Sequence, residues 1–451
     1  MSEQTTSNKE YKKLLTCLQT QNNQALREFV EELHSYDLAN LFFRLSKIHR
    51  QRLLNFLEPQ EIATLMEELE LHEQKEVITA LGPQKSAQVL NHMPNDDVAD
   101  LLSGLEETET TALLGDMRKL EADKVRALLH YPGETAGGLM TNEFISILDH
   151  YSVEETIRIL RKLAPSAETI YYLYVTDSSQ RLVGVLSLRD LLIAQPDEKI
   201  SNLMHERVIS VPVDMDQEEV AKILSRYDFL AIPVVNQKNR LLGIVTVDDI
   251  IDVLIEEAQE DIQQLSALYP DKQLFVHPVR SAKKRIPWLI VLLAIGIITA
   301  QLISLFENTI HLLPVLTVFM PMIAGMTGNA ATQSLATTIQ GLSTDQLTPK
   351  NFGKAIRQEG ITGTIVATVC SSAILIAIGF WKDFFLGLVI GISLFFTLIL
   401  GTLVGTMIPI LLEKIHIDPT TASGPLITTL NDVLSLMIYF GFATILVQLL
   451  Q

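Results

Sequence analysis

The chain reads as a multidomain membrane protein. An all-α, acidic N-terminal domain is followed by a duplicated α+β module, an amphipathic connecting helix and a transmembrane domain of five helices. Three observations carry this expectation. First, the net charge of −18 over 451 residues is lopsided. Residues 281–451 hold eight Lys/Arg against seven Asp/Glu, whereas residues 1–280 hold 27 against 46. Second, a block that opens at Leu139 recurs from Leu203. Third, five long apolar stretches fill the C-terminal part.

Residues 1–20, MSEQTTSNKEYKKLLTCLQT, read as a flexible tail. Residues 21–132 form a series of short amphipathic helices. LANLFFRLSKIHRQRLLNFL, PQEIATLMEEL, PQKSAQVLNHM and NDDVADLLSGL each place apolar residues at i, i+3, i+4 and i+7. Pro59, Pro83 and Pro94 fall near helix starts, where the missing N–H has no intrahelical partner to lose. A stack of helix pairs is expected. Acidity of this degree argues against nucleic acid as a partner, which requires basic surface. Cys17 and Cys370 form neither a metal-spacing motif nor a disulfide framework, which fits a reducing cytosol and a membrane. The polar N-terminus has no signal-peptide core, so the acidic domains are expected on the cytosolic side.

The duplication covers 133–252, as 133–195 and 196–252. Leu139-MTNEFISILDHYSVEETIRIL aligns with Leu203-MHERVISVPVDMDQEEVAKIL. Each is followed by strand, turn, strand and helix: YYLYVTDSSQRLVGVLSLRDLL (171–192) and LAIPVVNQKNRLLGIVTVDDII (230–251). Gly184 and Gly243 correspond at an offset of 59, as do Asp190 and Asp249. With the L-M opening and the G-[VI]-x-[ST]-x-x-D ending in both copies, the module resembles a tandem CBS pair. That resemblance implies a site for an adenine nucleotide, ATP or another, with Asp190 and Asp249 at the ribose. Residues 253–281 then begin as an acidic connecting helix. Leu254, Ala258, Ile262 and Leu265 line one face, and Glu256, Glu257, Glu260 and Asp261 another.

The apolar stretches are 286–306, 311–340, 360–381, 384–412 and 422–449, each near or above the roughly 20 residues that span a bilayer. Lys283, Lys284 and Arg285 precede the first. Lys350, Lys354, Arg357 and Lys414 lie in the loops that five spans would place on the same side, and Lys382 alone on the other. The bias puts the N-terminal domains in the cytoplasm and the C-terminus outside a cell membrane. The second stretch, PMIAGMTGNAATQSLATTIQGL, is rich in small and polar residues. It is expected to pack closely or line a wet path that includes Asn329. Gly387/Gly391 and Gly401/Gly405 read as packing seams.

Asp432 gives the membrane part a function. It is the sole charge after Thr420 and lies about ten residues into the last stretch, near the bilayer midplane. A carboxylate there costs about 2.5–3.5 kcal/mol on insertion scales, and such groups usually face water or an ion. Thr428, Thr429 and Ser435 stand at i−4, i−3 and i+3 on the same face, with Asn431 beside them. This stripe is expected to line a cation pathway. The membrane part has only His311 and His416, both at its edges, and one cysteine, so soft ligands are lacking. Oxygen donors suit Mg²⁺, Ca²⁺ or Mn²⁺. A single carboxylate cannot cage dehydrated Ca²⁺, whereas two, across a pair of chains, meet the demand of hydrated Mg²⁺.

GNAATQS (328–334), Gln358-Glu359-Gly360, Ile417-Asp418-Pro419, the T-T-L-N-D run ending at Asp432 and the order of the domains resemble the MgtE magnesium-channel family over nearly the whole chain. The resemblance implies a homodimeric Mg²⁺ channel whose fifth helices line the pore and which cytosolic Mg²⁺ closes by binding between acidic domains. It carries the pore carboxylate to Asp432 and an inner-mouth carboxylate to Asp418. It carries the sensing ligands to Asp216, Asp228, Asp249 and Asp252 in the CBS pair and to Glu257, Glu260 and Asp261 in the connecting helix. In the helical domain it carries them to Glu61, Asp96 and Asp100, with Asp97 as an alternative, and Gly138 offers a backbone carbonyl. At Thr327-Gly328-Asn329-Ala330 the chain departs from relatives that carry more glycine. Two rival classes remain at this point: a Na⁺- or H⁺-coupled Mg²⁺ transporter, and a membrane-anchored nucleotide sensor. No P-loop, H-E-x-x-H or G-x-S-x-G motif is present, so an enzyme is not expected.

Overall fold

The computed structural model describes residues 2–266, 278–344, 346–421 and 424–448. The chain divides into two compact units, Met1–Ile255 and Glu256–Gln451. The first unit begins with ten helices: α1 (Ser2–Thr20), α2 (Asn23–Glu32), α3 (Ser35–Arg44), α4 (Lys47–Phe56), α5 (Pro59–Glu67), α6 (Leu71–Leu81), α7 (Pro83–Leu90), α8 (Asn95–Ser103), α9 (Glu107–Asp116) and α10 (Lys119–Leu128). Helices α3, α5, α7 and α9 pack in one row, and α6, α8 and α10 in a second. Pro59 and Pro83 open α5 and α7, and Pro94 caps α8.

The flexible tail expected at 1–20 is a helix instead. Leu14, Cys17 and Leu18 form an apolar i, i+3, i+4 stripe within a polar sequence and are buried in the domain core. The Tyr11 hydroxyl donates to the Arg44 carbonyl (3.1 Å), and Arg52 donates to the Leu18 carbonyl (3.3 Å). These bonds tie α1 to the end of α3 and to the middle of α4.

The duplicated part comprises α11 (Ala136–Leu139), β1 (Ser146–Leu148), α12 (Val153–Leu163), β2 (Tyr172–Thr176), β3 (Leu182–Ser187), α13 (Leu188–Ile193), α14 (Ile200–Leu203), β4 (Val211–Pro212), α15 (Gln217–Tyr227), β5 (Ala231–Val235), β6 (Leu241–Thr246) and α16 (Val247–Leu265). Each copy is a three-stranded sheet in which a short strand pairs parallel to an antiparallel hairpin, in the orders β1-β2-β3 and β4-β5-β6. The register slips at Val175/Thr176 and again at Val234/Val235, one repeat apart. Strands β1 and β4 were not anticipated, because three and two residues are too few to show alternation.

The two copies are cross-threaded. Thr141, which opens the first, exchanges backbone hydrogen bonds with Ile244 of the second (2.8 and 3.0 Å), and His205 does the same with Val185 of the first (2.9 and 3.1 Å). The glycines of the repeat make room for this. A Cβ on Gly243 would lie 2.8 Å from Met140 Sδ, and one on Gly184 would lie 2.9 Å from Met204 Cγ. The L-M opening of each copy therefore packs on the glycine of the other.

The connecting helix, expected from 253, starts earlier. Helix α16 begins at Val247, directly after β6, with Asp248 and Asp249 in its first turn, where a helix N-terminus favours negative charge. Residues 267–277 of the expected 253–281 segment lie outside the described residues.

The second unit continues with α17 (Pro278–Ser304), α18 (Glu307–Leu312), α19 (Leu316–Ser343), α20 (Phe352–Trp381), α21 (Phe384–Lys414) and α22 (Gly424–Gln448). The single stretch expected over 311–340 is broken at 313–315 into α18 and α19, because Pro314 lacks a donor and its ring disfavours helix in the preceding residue. Helix α20 starts at Phe352 rather than 360, because its first turns carry Lys354 and Arg357, which mask a helix from a hydropathy reading. Four of the described helices are long and apolar enough to cross a membrane by length and composition: Ser281–Ser304, Phe352–Trp381, Phe384–Lys414 and Gly424–Leu446. Five were expected. Helix α19 has 28 residues but falls outside that set, its apolar character diluted by Asn329, Gln333, Gln340 and its threonines. Helix α21 is central, packing on α19, α20 and α22. At Gly405 a Cβ would strike the Ala331 carbonyl of α19, so the two backbones touch there. The Tyr439 hydroxyl of α22 donates to the Leu316 carbonyl at the start of α19 (2.9 Å) within a cluster of Phe319, Ile323, Ile378 and Phe440.

Candidate cation sites

In the second unit, Asp432 lies at a close approach of α22 to α19. A Cβ on Gly328 would lie 2.9 Å from Thr428 Cγ2 and 3.9 Å from Asp432 Oδ1. The hydroxyls of Thr332 and Thr428 meet at 3.4 Å. Most hydroxyls in this region are satisfied by their own helix. Thr332 donates to the Gly328 carbonyl (3.0 Å), Thr429 to Pro425 (2.7 Å) and Ser435 to Asp432 (3.1 Å). The carboxylate and the carboxamide are not. Asp432 Oδ1 and both terminal atoms of Asn431 are buried and meet no hydrogen-bond partner in the protein. An unsatisfied buried polar group costs about 1–3 kcal/mol, and more when charged.

The expected stripe is thus gathered in part. Thr428 and Asp432 meet Gly328 and Thr332, while Ser435 is buried in the bundle. Asn431 and Asn329 turn away, because each residue rotates about 100° around a helix. Asn431 is fully buried beside Gly401 of α21, and Asn329 is exposed, whereas its neighbour Gly328 faces Asp432. Thr332 was missed as a site residue; its signals are its place in GNAATQS and its i+4 spacing from Gly328.

Asp418 lies before α22 and caps a 3-10 turn at Pro419–Thr421. The Thr420 N–H donates to Asp418 Oδ1 (2.9 Å). The Thr420 hydroxyl lies 2.6 Å from Asp418 Oδ2 and 2.6 Å from Gln264 Oε1 of α16. Gln264 Nε2 in turn donates to Glu260 Oε1 (2.7 Å). Asp418 and Glu260, named separately from the sequence, are therefore linked through Gln264 and Thr420. Glu257 and Asp261 are half-buried on the same helix.

The first unit contains an acidic cluster. Asp96 and Asp97 lie in the first turn of α8, and Asp249 lies in the first turn of α16. Burial, then the charges of Asp97, Asp249 and Glu168, raises the Asp96 carboxyl well above its ordinary value, and its Oδ1 is buried without a partner. Burial, then Asp249, Glu67, Asp100 and Glu168, pushes Asp97 up to about 7. Glu168 is pushed to about 7 by burial, then by Asp249, Asp248 and Glu143. Asp249 is pushed to about 6 by burial, partly offset by the hydroxyl of Thr246, with Asp248 and Asp252 raising it further. The cluster draws in Glu67 and Glu168, which no sequence feature marked, and includes Asp97 alongside Asp96. Among the described residues, no three His, Cys, Asp or Glu side chains gather closely enough to ligate one metal directly.

Other sequence candidates have local structural work. Glu61 pairs with Arg27 and accepts from the Glu58 N–H (2.9 Å) in a capping box. Asp216 caps α15 by accepting from the Glu218 N–H (2.9 Å), and Asp228 ends that helix with φ 53°. A Cβ on Gly138 would collide with the Pro132 and Gly133 carbonyls. Asp190 accepts from the Ser187 hydroxyl (2.6 Å), with His205 Nε2 4.0 Å away. The two repeats thus share a hydroxyl–aspartate pair, but only the second is ringed by carboxylates.

Residues 320–442 match the MgtE family, described as divalent cation transporters. Residues 33–134 match the MgtE intracellular N domain, and 136–197 and 200–256 match CBS domains. The chain is 46% identical over 419 residues to the magnesium transporter MgtE of Bacillus subtilis (strain 168), covering 93% of each. It is 39% identical over 437 residues to that of Enterococcus faecalis (strain ATCC 700802 / V583), covering 96% of each. A crystal structure of the cytosolic domain of the Mg²⁺ channel MgtE in complex with ATP matches with a TM-score of 0.52 at 40% identity, over 54% of this chain and 99% of that one. A divalent-cation-transporter family match over the apolar helices, with magnesium-transporter relatives along nearly the whole chain, makes this a membrane transporter rather than an enzyme. The chain belongs to the MgtE family of divalent cation transporters.

Proposed function

We propose that the chain forms a homodimeric Mg²⁺ channel for magnesium uptake, with α22 lining the pore and cytosolic Mg²⁺ closing it. The observation that carries this reading is the buried, unpaired Asp432 Oδ1 at the α19–α22 contact. A hydrated divalent cation satisfies such an atom without a full set of protein ligands, and Mg²⁺ sheds water reluctantly. Helix α19 acts as the fifth span. Its 28 residues reach about 42 Å, and its polar side chains are tolerated because they face other helices or water. Five spans with Lys283, Lys284 and Arg285 inside put the C-terminus outside. Leu192, Ile193, Ile251 and Ile255 are exposed apolar side chains that a second copy would cover.

Closure follows from repulsion. Two carboxylates about 7 Å apart repel by about 2 kcal/mol at an effective dielectric near 20. The cluster around Asp96, Asp97 and Asp249 assembles at lower cost when a cation, or protons, offset that charge. Asp100, Asp252, Glu168 and Glu67 extend it, and Asp216, Asp228, Glu61, Gly138, Glu257, Glu260 and Asp261 provide further positions for weak, water-mediated binding. Mg²⁺ shifts the equilibrium only by its preference for the compact form. An adenine nucleotide, ATP foremost, is placed at Asp190, since the carboxylates around Asp249 repel a triphosphate.

The test is Mg²⁺ flux into liposomes driven by voltage alone. Asp432→Ala is expected to reduce it to background. Wild-type flux in that variant overturns the pore assignment, and flux that requires an opposing Na⁺ or H⁺ gradient replaces the channel with a coupled transporter.

A further inference from the structure

The charge of the helical domain is uneven. Residues 21–132 hold 11 Lys/Arg against 20 Asp/Glu, yet residues 38–57 carry Arg44, Lys47, Arg50 and Arg52 and no acid. Lys47, Arg50 and Leu54 share one face of α4 at i, i+3 and i+7, and Lys75, Glu76 and Thr79 share one face of α6. These faces, with Phe42 and Phe43, line a groove of about 460 Å³. That size falls within the roughly 300–1,000 Å³ of small-molecule pockets, which are mostly apolar with a few placed polar groups. Arg50 is fixed in the wall. Its guanidinium lies over the Phe43 ring, 4.4 Å from the centroid, and donates to the Leu45 (3.1 Å) and Phe43 carbonyls. Its other terminal nitrogen stands 3.4 Å from the Glu76 carboxylate, whose side chain is 62% exposed and therefore a weak competitor. Lys75 donates to the Gly104 carbonyl (2.7 Å). Lys47 is exposed and has no carboxylate partner among the described residues.

We propose that the groove between α4 and α6 binds a phosphate monoester that carries a flat apolar body. Three cations, Lys47, Arg50 and Lys75, stand around it against the single carboxylate of Glu76. A phosphate monoester is close to dianionic at neutral pH, so it offsets both uncompensated charges, whereas a carboxylate offsets one. Lys47 and the outer edge of Arg50 meet the phosphate oxygens through charge-assisted hydrogen bonds. Because Arg50 is already held by Phe43 and two carbonyls, little side-chain freedom is lost on binding. Phe42, Leu54 and Val77, all buried, form an apolar floor for the body of the ligand. The groove shares no residue with the acidic cluster of Asp96, Asp97 and Asp249 or with the Asp190 site, and the inference does not rest on the channel reading.

The experiment follows hydrogen exchange over residues 42–56 and 71–81 in the metal-free full chain as phenyl phosphate is titrated to millimolar concentration. Exchange in both segments is expected to slow. Inorganic phosphate, which lacks the body, and benzyl alcohol, which lacks the charge, are expected to leave both segments unchanged at the same concentration. Benzoate is expected to bind at least about threefold more weakly than phenyl phosphate. Lys47→Gln is expected to raise the half-saturating phenyl phosphate about five- to tenfold. Glu76→Gln, which removes the competing carboxylate, is expected to lower it about two- to fivefold. Both side chains are exposed, and the opposite signs separate charge matching from a general loosening of the helices. Unchanged exchange with phenyl phosphate, or equal slowing by benzyl alcohol or inorganic phosphate, overturns the proposal. Benzoate binding as tightly as phenyl phosphate, or Glu76→Gln weakening the binding, overturns it as well.

Discussion

Neutralising Asp97 is expected to stabilise the soluble unit in a pH-dependent way. The Asp97 carboxyl is displaced from 3.8 to about 7, chiefly by burial and then by Asp249 and Glu67. A carboxyl raised in the folded state weakens folding as pH rises from its unfolded value towards its folded one, and the cost is constant above that. At pH 8 the full displacement applies, about 4 kcal/mol at 1.36 kcal/mol per unit. At pH 5.5 only the interval from 3.8 counts, about 2 kcal/mol. Asp97→Asn is therefore expected to gain about 2 kcal/mol more at pH 8 than at pH 5.5, and the wild type to gain stability on acidification through this window. Both tryptophans, Trp288 and Trp381, lie in the second unit, so fluorescence does not report on the first. Hydrogen exchange of α8 and α16 in the metal-free protein does. Equal gains at both pH values, or a loss at pH 8, refute the account of the cluster. Saturating Mg²⁺ is expected to reverse the advantage, because the variant lacks a charge for the ion to meet.

Removing residues 1–246, just before α16, is expected to preserve Mg²⁺ flux and abolish its inhibition by internal Mg²⁺, measured in liposomes. Calorimetry is expected to show ATP binding lost in Asp190→Ala and retained in Asp249→Ala, the opposite order placing the nucleotide in the second repeat. Gly405→Ala drives a methyl into the Ala331 carbonyl, and overpacking of this kind costs about 1–3 kcal/mol. Its melting temperature in detergent is expected to fall, and an unchanged value contradicts the α19–α21 contact.

Elements set by local pattern were legible in the sequence. The hairpins around Gly184 and Gly243 and the helix that carries Asp432 follow from alternation, repetition and a long apolar run. The misses have physical causes. In α1, three buried residues, with Tyr11 and Leu15 packed beside them, hold a helix whose remaining side chains are polar. At Pro314 a single ring ends a helix inside an apolar stretch. The acidic cluster joins Glu67, Asp97, Glu168 and Asp249, which only tertiary folding brings together. The Thr420–Gln264 bond spans 156 residues and is likewise invisible to spacing. Asn431 shows a subtler limit. Adjacent to Asp432 in sequence, it belongs to another face, and only the contact with Gly401 reveals which.

The exchange of Met140 and Met204 between repeats makes the duplicated module an obligate couple. Neither copy owns the partner that fills its own glycine notch, so excising one strands a thioether and opens a hole in its twin. A bulkier residue at position 184 must find its compensation at position 204, and one at 243 must find it at position 140. The halves of this duplication are thus bound to change in step.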